Sequence, residues 1–368
     1  MIRVLHLRSG SGLYGADRAL LALAGATPAP FQPVVGSIVR EGVPDLLCDE
    51  AARLGLERRT FRSAGRLDLA LIRAVRAEAR RGGVELFHAH DFKSLWVALF
   101  AGLAAGIPVV ATYHGETAVT PAVRAYEILA RILGNFTRGV FAVSRPLHAT
   151  LSRWVRLAPV AFAPNAVAAA PPPTPEERAA ARATLGFGET DYVVAVIGRL
   201  SPEKGHAVLL EAARRLERKP VLVFAGDGPS LPGLQAAQVP ARLLGYLPEP
   251  RPVLAAADVI AIPSLTEGLP LIALEALAAG RCVVATTVGA LPELLGGGAG
   301  LLVPPGDPTA LALALESARD PVMRLQLTTA GADRVRSYDV ASMASAYARA
   351  YRAALPASPA GGLASNSR

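Results

Sequence analysis

The sequence predicts an α/β protein with two parallel-sheet domains facing each other across a cleft. Three observations carry that prediction. Short β-branched runs alternate with longer alanine- and leucine-rich segments along the chain, the order expected of parallel sheets wrapped by helices. The strand candidates are continuous apolar runs, which suits strands covered on both faces. A proline run, AAAPPPTP at 168–175, breaks the alternation near the middle and reads as a semi-rigid linker.

In the first half, strands are expected at Arg3–Leu7, Pro33–Val39, Leu86–His88, Val109–Thr112 and Val140–Val143. Helices are expected at Ala16–Gly25, Leu67–Arg81 and Pro121–Leu133. The stretch from Ser94 to Tyr113 carries no formal charge, but Gly106-Ile107-Pro108 divides it into a helix-like and a strand-like piece. Each is too short to span a bilayer. Beyond the linker, strands are expected at Tyr192–Ile197, Val221–Ala225, Arg242–Leu244, Val259–Ile262, Cys282–Ala285 and Gly300–Val303. A final helix at Asp339–Leu355 is expected to pack back on the first domain, ahead of a disordered tail at 356–368. The domains are thus 1–168 and 169–338, with 339–355 crossing back, a division that suits 368 residues.

A hydrophobic fraction of 52% excludes a disordered chain. Two cysteines far apart, Cys48 and Cys282, exclude a disulfide framework and point to a reducing compartment. The N-terminus has no apolar stretch long enough for a secretory signal, so a cytoplasmic location is expected. The net charge of +8 divides unevenly: residues 1–168 hold 20 Lys+Arg against 12 Asp+Glu, and the remainder is neutral. A basic half fits nucleic acid, an anionic membrane surface or an anionic substrate. With 35 Arg against three Lys, general solubility charge explains the total but not the split.

In open parallel sheets, ligands bind beyond the carboxyl ends of the strands, and four segments of this kind carry chemistry. The first is Gly198 to His206, GRLSPEKGH, where Arg199 leaves a strand and Lys204 stands at a helix entrance. Two cations beside helix N–H groups suit a pyrophosphate, although a surface pairing of Lys204 with Glu203 would look the same. The second is Glu267-Gly268-Leu269-Pro270-Leu271 through Glu275. Pro270 is placed as the first helical residue. Glu267 and Glu275 can accept hydrogen bonds from sugar hydroxyls, or serve only as a loop carboxylate and a helix-dipole partner. The third is the glycine-rich turn with Gly10, Gly12 and Gly15, a loose form of the dinucleotide fingerprint that lacks its acidic partner. The fourth is Thr112-Tyr113-His114-Gly115-Glu116, which puts His114 at a strand end facing the cleft. His88 and His90 read as structural residues bonded to neighbouring loops.

Together these segments resemble family 4 of the glycosyltransferases, retaining enzymes of the Rossmann-like GT-B fold. GLYGADRAL (12–20), FHAHD (87–91), VVATYHG (109–115), FAVS (141–144), GRLSPEKG (198–205), FAGDGP (224–229), LLGYLP (243–248), EGLPLIALEALAAG (267–280) and GLLVPPGDP (300–308) occur in that order. The resemblance implies that Arg199 and Lys204 bind the donor diphosphate, a task metals perform in other glycosyltransferases. It implies that Glu267 holds the donor sugar with backbone N–H groups of Gly268 to Leu271, Pro270 opening the helix. Glu275 would bind the ribose, and His114 the transferred sugar. Gly198 and the Gly12–Gly15 turn would face the diphosphate. No metal or other cofactor is implied; the donor is a UDP- or GDP-sugar, and the acceptor a carbohydrate or lipid-linked molecule of cell-envelope synthesis. Nucleic acid then drops out, and the basic half points to an anionic acceptor or the anionic inner membrane face.

Two departures stand out. The family's Pro-Asn-Gly-Val-Asp linker is Pro164-Asn165-Ala166-Val167-Ala168 here, and the acidic residue of the glycine-rich turn is Asp17 where Glu is common. A non-hydrolysing nucleotide-sugar epimerase of the same fold, and a non-catalytic sugar-nucleotide-binding subunit, are the alternative readings.

Overall fold

A computed structural model describes residues 1–356 apart from 11, 66–67, 116–119, 169–170 and 238–239. Two sheets are present, and every recorded strand pairing in them is parallel. The first holds β1 (Ile2–Ser9), β2 (Phe31–Arg40), β3 (Glu57–Ser63), β4 (Val84–Ala89), β5 (Val109–Tyr113), β6 (Gly139–Ala142) and β7 (Val160–Phe162) in the order β3-β2-β1-β4-β5-β6-β7. The second holds β8 (Val193–Ile197), β9 (Val221–Ala225), β10 (Ala241–Gly245), β11 (Val259–Ile262), β12 (Cys282–Thr286) and β13 (Leu301–Val303) in the order β10-β9-β8-β11-β12-β13. The strand order reverses between β1 and β4 in one sheet and between β8 and β11 in the other. Those are the two places where an open parallel sheet leaves a crevice at its carboxyl edge.

The expected strands are all present, most with slightly different ends. Two that were not expected, β3 and β7, are the edges of the first sheet. In β3, ERRTFRS, only Phe61 and Ser63 are buried, so its charges face water and hide the apolar signature. The helix expected from Leu67 starts at Leu69, where Asp68 caps it by accepting from Leu71 N. The proline-rich connection leads directly into the helix Pro175–Thr184. Part of it, and the tail from residue 357, lie outside the described residues.

The last helix, Val340–Ala354, does pack back on the first sheet. Its Met343, Tyr347 and Tyr351 share one buried cluster with Val4, Leu86, Val110 and Phe141. Burying side chains this large contributes roughly 1.5–3 kcal/mol each, enough to tie the chain's end to the domain where it began. The contact is also polar. Tyr351 Oη lies 2.7 Å from His88 Nδ1, and Tyr347 Oη 3.1 Å from Thr112 Oγ1. His88 Nε2 lies 2.7 Å from the same threonine hydroxyl. The partners of His88 are therefore the crossover helix and β5, not neighbouring loops as the sequence suggested. A ring buried between the first sheet and the last helix meets those two elements and not a loop.

Among the described residues, no helix is long and apolar enough to cross a membrane.

Candidate functional site

A cleft enclosing about 370 Å³ lies between the carboxyl edges of the two sheets. It is lined by Gly15, His114, Gly198, Arg199, Lys204, Glu267, Gly268, Leu269, Pro270, Leu271 and Glu275. Every site residue expected from the sequence therefore meets there except Gly12. Gly12 instead sits beneath the ring of Tyr14, where an added Cβ would lie 2.2 Å from Cε2. It shapes the turn that presents Leu13, Tyr14 and Gly15 to the cleft.

Backbone close approach brings the two walls together. A Cβ on Gly268 would stand 2.1 Å from the carbonyl oxygen of His114, and one on Gly289 would stand 2.4 Å from that of Gly268. Real Cβ atoms cannot occupy those positions, so glycine at these points lets His114 and Glu267 share one wall. Asn165 spans the same seam, its Nδ2 donating to Leu269 O at 2.8 Å. The linker therefore contributes a cleft residue even though it lacks the family's glycine and aspartate.

Lys204 ends a short 3-10 turn, and Gly205 follows at φ 66° to start the helix His206–Arg215. Its Nζ donates to Glu267 Oε1 at 2.6 Å, and Ser264 Oγ donates to the same oxygen at 2.7 Å. The lysine's partner is thus Glu267; Glu203 is buried against Ser201 Oγ. An ammonium has three donors, so two remain for a ligand. Glu267 Oε2 has no partner among the described residues. Arg199 is exposed on the cleft wall with no ion-pair partner among the described residues.

Pro270 proves to be the cap, not the first residue, of the helix Leu271–Ala278. The first N–H groups of a helix lack intrahelical partners, and here they open on the cleft. Glu275 lies one turn further in. Burial raises its pKa, opposed by Arg18, which binds its Oε1 at 2.9 Å. Tyr14 and Tyr246 close the far end of the cleft with an edge-to-face contact at 6.4 Å. The sequence reading gave no role to Arg18 or Tyr246 and named Asn165 only as part of the altered linker; each is given its place by packing between the two halves.

Behind His114 runs a chain of imidazoles. His6 Nδ1 lies 3.1 Å from His90 Nε2, and His90 Nδ1 lies 3.2 Å from His114 Nε2. His90, expected to be structural, therefore connects to the site. Burial pushes His6 and His114 down to about 3, with Arg8 adding to the effect on His114. His88 and His90 are also held well below the ordinary value, by burial and by neighbouring rings. All are neutral at physiological pH, each ring carrying one N–H. His6 Nε2 and His114 Nδ1 are the buried ends of the chain and have no partner. Whichever way the protons run along the chain, one of these two atoms is an unpartnered N–H and the other an unused acceptor.

Nitrogens of His6, His88 and His90 also come within 4.8 Å of one another, close enough to hold a metal ion. Hydroxyls occupy both His88 nitrogens and both His90 nitrogens face other rings, so His6 Nε2 is the nitrogen of the group left without a partner among the described residues.

The buried histidines make stability pH-dependent. On unfolding they return to about 6.5, so the unfolded chain binds more protons between that value and about 3. Their contribution is complete above pH 6.5 and declines as pH falls through the window, by about 1.4 kcal/mol per pH unit for each histidine that titrates. Urea unfolding at pH 7.5 and 5.5 checks this. A clearly lower unfolding free energy at 5.5 is expected, and equal values would contradict the buried, neutral state.

Comparison with known proteins agrees with this geometry. The profile for Glycosyltransferase Family 4 matches residues 22–170, and that for Glycosyl transferases group 1 matches residues 191–320. A D-inositol 3-phosphate glycosyltransferase of Kribbella flavida is 34% identical over 315 residues, covering 76% of this chain and 74% of that protein. A putative teichuronic acid biosynthesis glycosyltransferase of Bacillus subtilis is 32% identical over 237 residues, covering 63% of this chain and 60% of its own length. Among solved structures, Anabaena HepE in complex with UDP-glucose superposes with a TM-score of 0.84 at 21% identity, covering 96% of this chain and all of that one. The chain belongs to glycosyltransferase family 4 and has its GT-B fold.

Proposed function

We propose that the chain is a retaining glycosyltransferase that moves a hexose from a nucleoside-diphosphate sugar, a UDP- or GDP-sugar, to a carbohydrate or lipid-linked acceptor in cell-envelope synthesis. The observation that carries the reading is the meeting of Arg199, Lys204 and the open N-terminus of the helix Leu271–Ala278 beside Glu267. Arg199 and the two free donors of Lys204 grip the diphosphate and neutralise it as it leaves, so no metal is needed for that charge. Glu267 Oε2 accepts from hydroxyls of the sugar, while Lys204 and Ser264 fix its other oxygen. Glu275, oriented by Arg18, accepts from the ribose. His114, on the cleft wall, contacts the transferred sugar.

Glu203, Glu267 and Glu275 line the cleft, each with one oxygen held by a serine, a lysine or an arginine. With the free oxygen of Glu267 given to the sugar hydroxyls, the retaining course we propose is front-face transfer, the leaving phosphate taking the acceptor's proton. Lys204→Ala and Glu267→Ala should each lower turnover about a hundredfold, roughly 3 kcal/mol of transition-state stabilisation, with the circular dichroism spectrum unchanged. The assay is run in EDTA. Near-normal rates in either variant would refute the assignment, as would activity in the unmodified chain that returns only with Mg²⁺ or Mn²⁺.

The protein works in the cytoplasm at the inner membrane face. Phe100, Leu103, Phe136 and Arg138 share a groove at the amino ends of β5 and β6, and Leu103 and Phe136 are 84% and 68% exposed. Next to it, Asn135 holds the N–H groups of Arg156 and Leu157, extending an apolar surface edged with arginine. Such a surface suits an anionic bilayer, and docking there leaves the cleft open to water. Co-sedimentation should occur with phosphatidylglycerol vesicles and not with phosphatidylcholine alone, and should fall on Leu103→Glu; equal pelleting with both lipids would count against it.

A further inference from the structure

His6, His90 and His114 stand on three neighbouring strands. The sheet order sets β1 beside β4 and β4 beside β5. His6 lies inside β1, His90 one residue past β4 and His114 one residue past β5, so each step crosses one strand and moves toward the cleft. His6 is fully buried, His90 is 2% exposed, and His114 lines the cleft. Ring centroids are 5.4 Å apart for His6 and His90 and 5.5 Å for His90 and His114, with planes inclined by 21° and 24°. Each separation exceeds the corresponding nitrogen–nitrogen distance, 3.1 or 3.2 Å, by about two ring radii. The contacting nitrogens therefore lie between the centroids and in the plane of both rings, the direction in which an imidazole N–H points. These are end-to-end hydrogen bonds, not stacked faces.

A neutral imidazole has one donor nitrogen and one acceptor nitrogen. Each contact needs one proton. Two N–H groups face to face would repel, and two bare nitrogens would leave buried lone pairs unsatisfied. Both nitrogens of His90 are engaged, so its single proton decides the direction of both bonds. Two arrangements meet the condition: all three rings protonated at Nδ1, or all three at Nε2. A His90 imidazolium donating both ways is opposed by burial and by Arg8, whose Nη1 donates to His90 O at 3.1 Å. No carboxylate bonds any of the three rings among the described residues: four of the six nitrogens face another ring and two have no partner.

We infer that His6 and His90 are positioning residues for His114: the three rings share one tautomer and change it only together. The nitrogen that carries the His114 proton is thus tied to His6, two rings away in the core. The inference rests on the proposed transfer, in which His114 contacts the donor sugar, and it adds two residues to that site that touch no ligand. A ring held this way is fixed in orientation and in tautomer before the sugar arrives, and it brings no charge with it. Polar groups set in advance cost no reorganisation when the substrate binds or reacts.

Nitrogen-15 NMR of the full chain labelled at histidine, at pH 7.5, tests the coupling. Two buried ring protons should each couple across a hydrogen bond to a nitrogen of the next ring. His6, His90 and His114 should all be protonated at the same ring position. A mixed set, both protons on His90, or no coupling across either contact overturns the inference. Calorimetry reads the effect at the cleft. His6→Phe keeps a ring in the core but removes the partner of His90 Nε2. It should lower the affinity for UDP-glucose relative to UDP at least threefold and leave UDP binding unchanged. His6→Asn, which returns a hydrogen-bonding group near the position of Nδ1, should recover most of that ratio. An unchanged ratio in a folded His6→Phe chain overturns the positioning role. In the unmodified chain, UDP-glucose binding no tighter than UDP would instead refute the sugar contact of His114 in the proposed function, and the NMR result would still decide the shared tautomer.

Discussion

Contact between bare backbones holds the site together. His114 rises from the carboxyl end of β5 and Glu267 from the loop after β11, on opposite sheets, and they share a wall because Gly268 lies directly against the His114 carbonyl. Gly289 then packs on the Gly268 carbonyl from behind, and Ala290 N donates to that same oxygen at 2.8 Å. A side chain at either glycine would force the loop away by roughly 1 Å, and binding geometry tolerates little displacement of that size. Asn165 closes the seam by satisfying Leu269 O, an acceptor that would otherwise remain unpaired in a buried position.

Charge is arranged around that seam so that most of it cancels locally. Lys204 answers Glu267, Arg18 answers Glu275, and Arg8 answers Asp17 and Asp91. Arg18 and Glu275 come from different halves of the chain, so this pair also holds the two walls in register. The histidine chain behind His114 adds hydrogen-bonding direction without charge, because burial keeps every ring neutral. Against this balanced background, exposed Arg199 and the remaining donors of Lys204 are the groups left for the diphosphate of the proposed donor.

Much of this was legible in the sequence because it depends on local order. A strand followed by GRLSPEKG, or by TEGLPLIALE, places Arg199, Lys204, Glu267 and Glu275 at carboxyl strand ends whatever surrounds them. The crossover of the last helix was legible from its length and its place after the second set of strands. What was not legible depends on partners distant in the chain. Charged β3 shows no apolar run because it is an edge strand. Arg18 looks like any exposed helical arginine until Glu275, in the other half, is set against it. His88 and His90 look alike in FHAHD, yet one faces Tyr351 and the other His114. Gly12 carries the same letter as Gly15 and does a different task, making room for the ring of Tyr14.

The proposed function turns on Lys204 and Arg199 holding the donor diphosphate in the cleft. Calorimetric titration of UDP and UMP into the full chain tests that claim directly. UDP should bind at least tenfold more tightly than UMP, a difference of about 1.4 kcal/mol or more. Lys204→Met should erase most of that difference while leaving the affinity for UMP unchanged. Equal affinity for the two nucleotides in the unmodified chain, or a UDP preference that survives Lys204→Met in full, would contradict it.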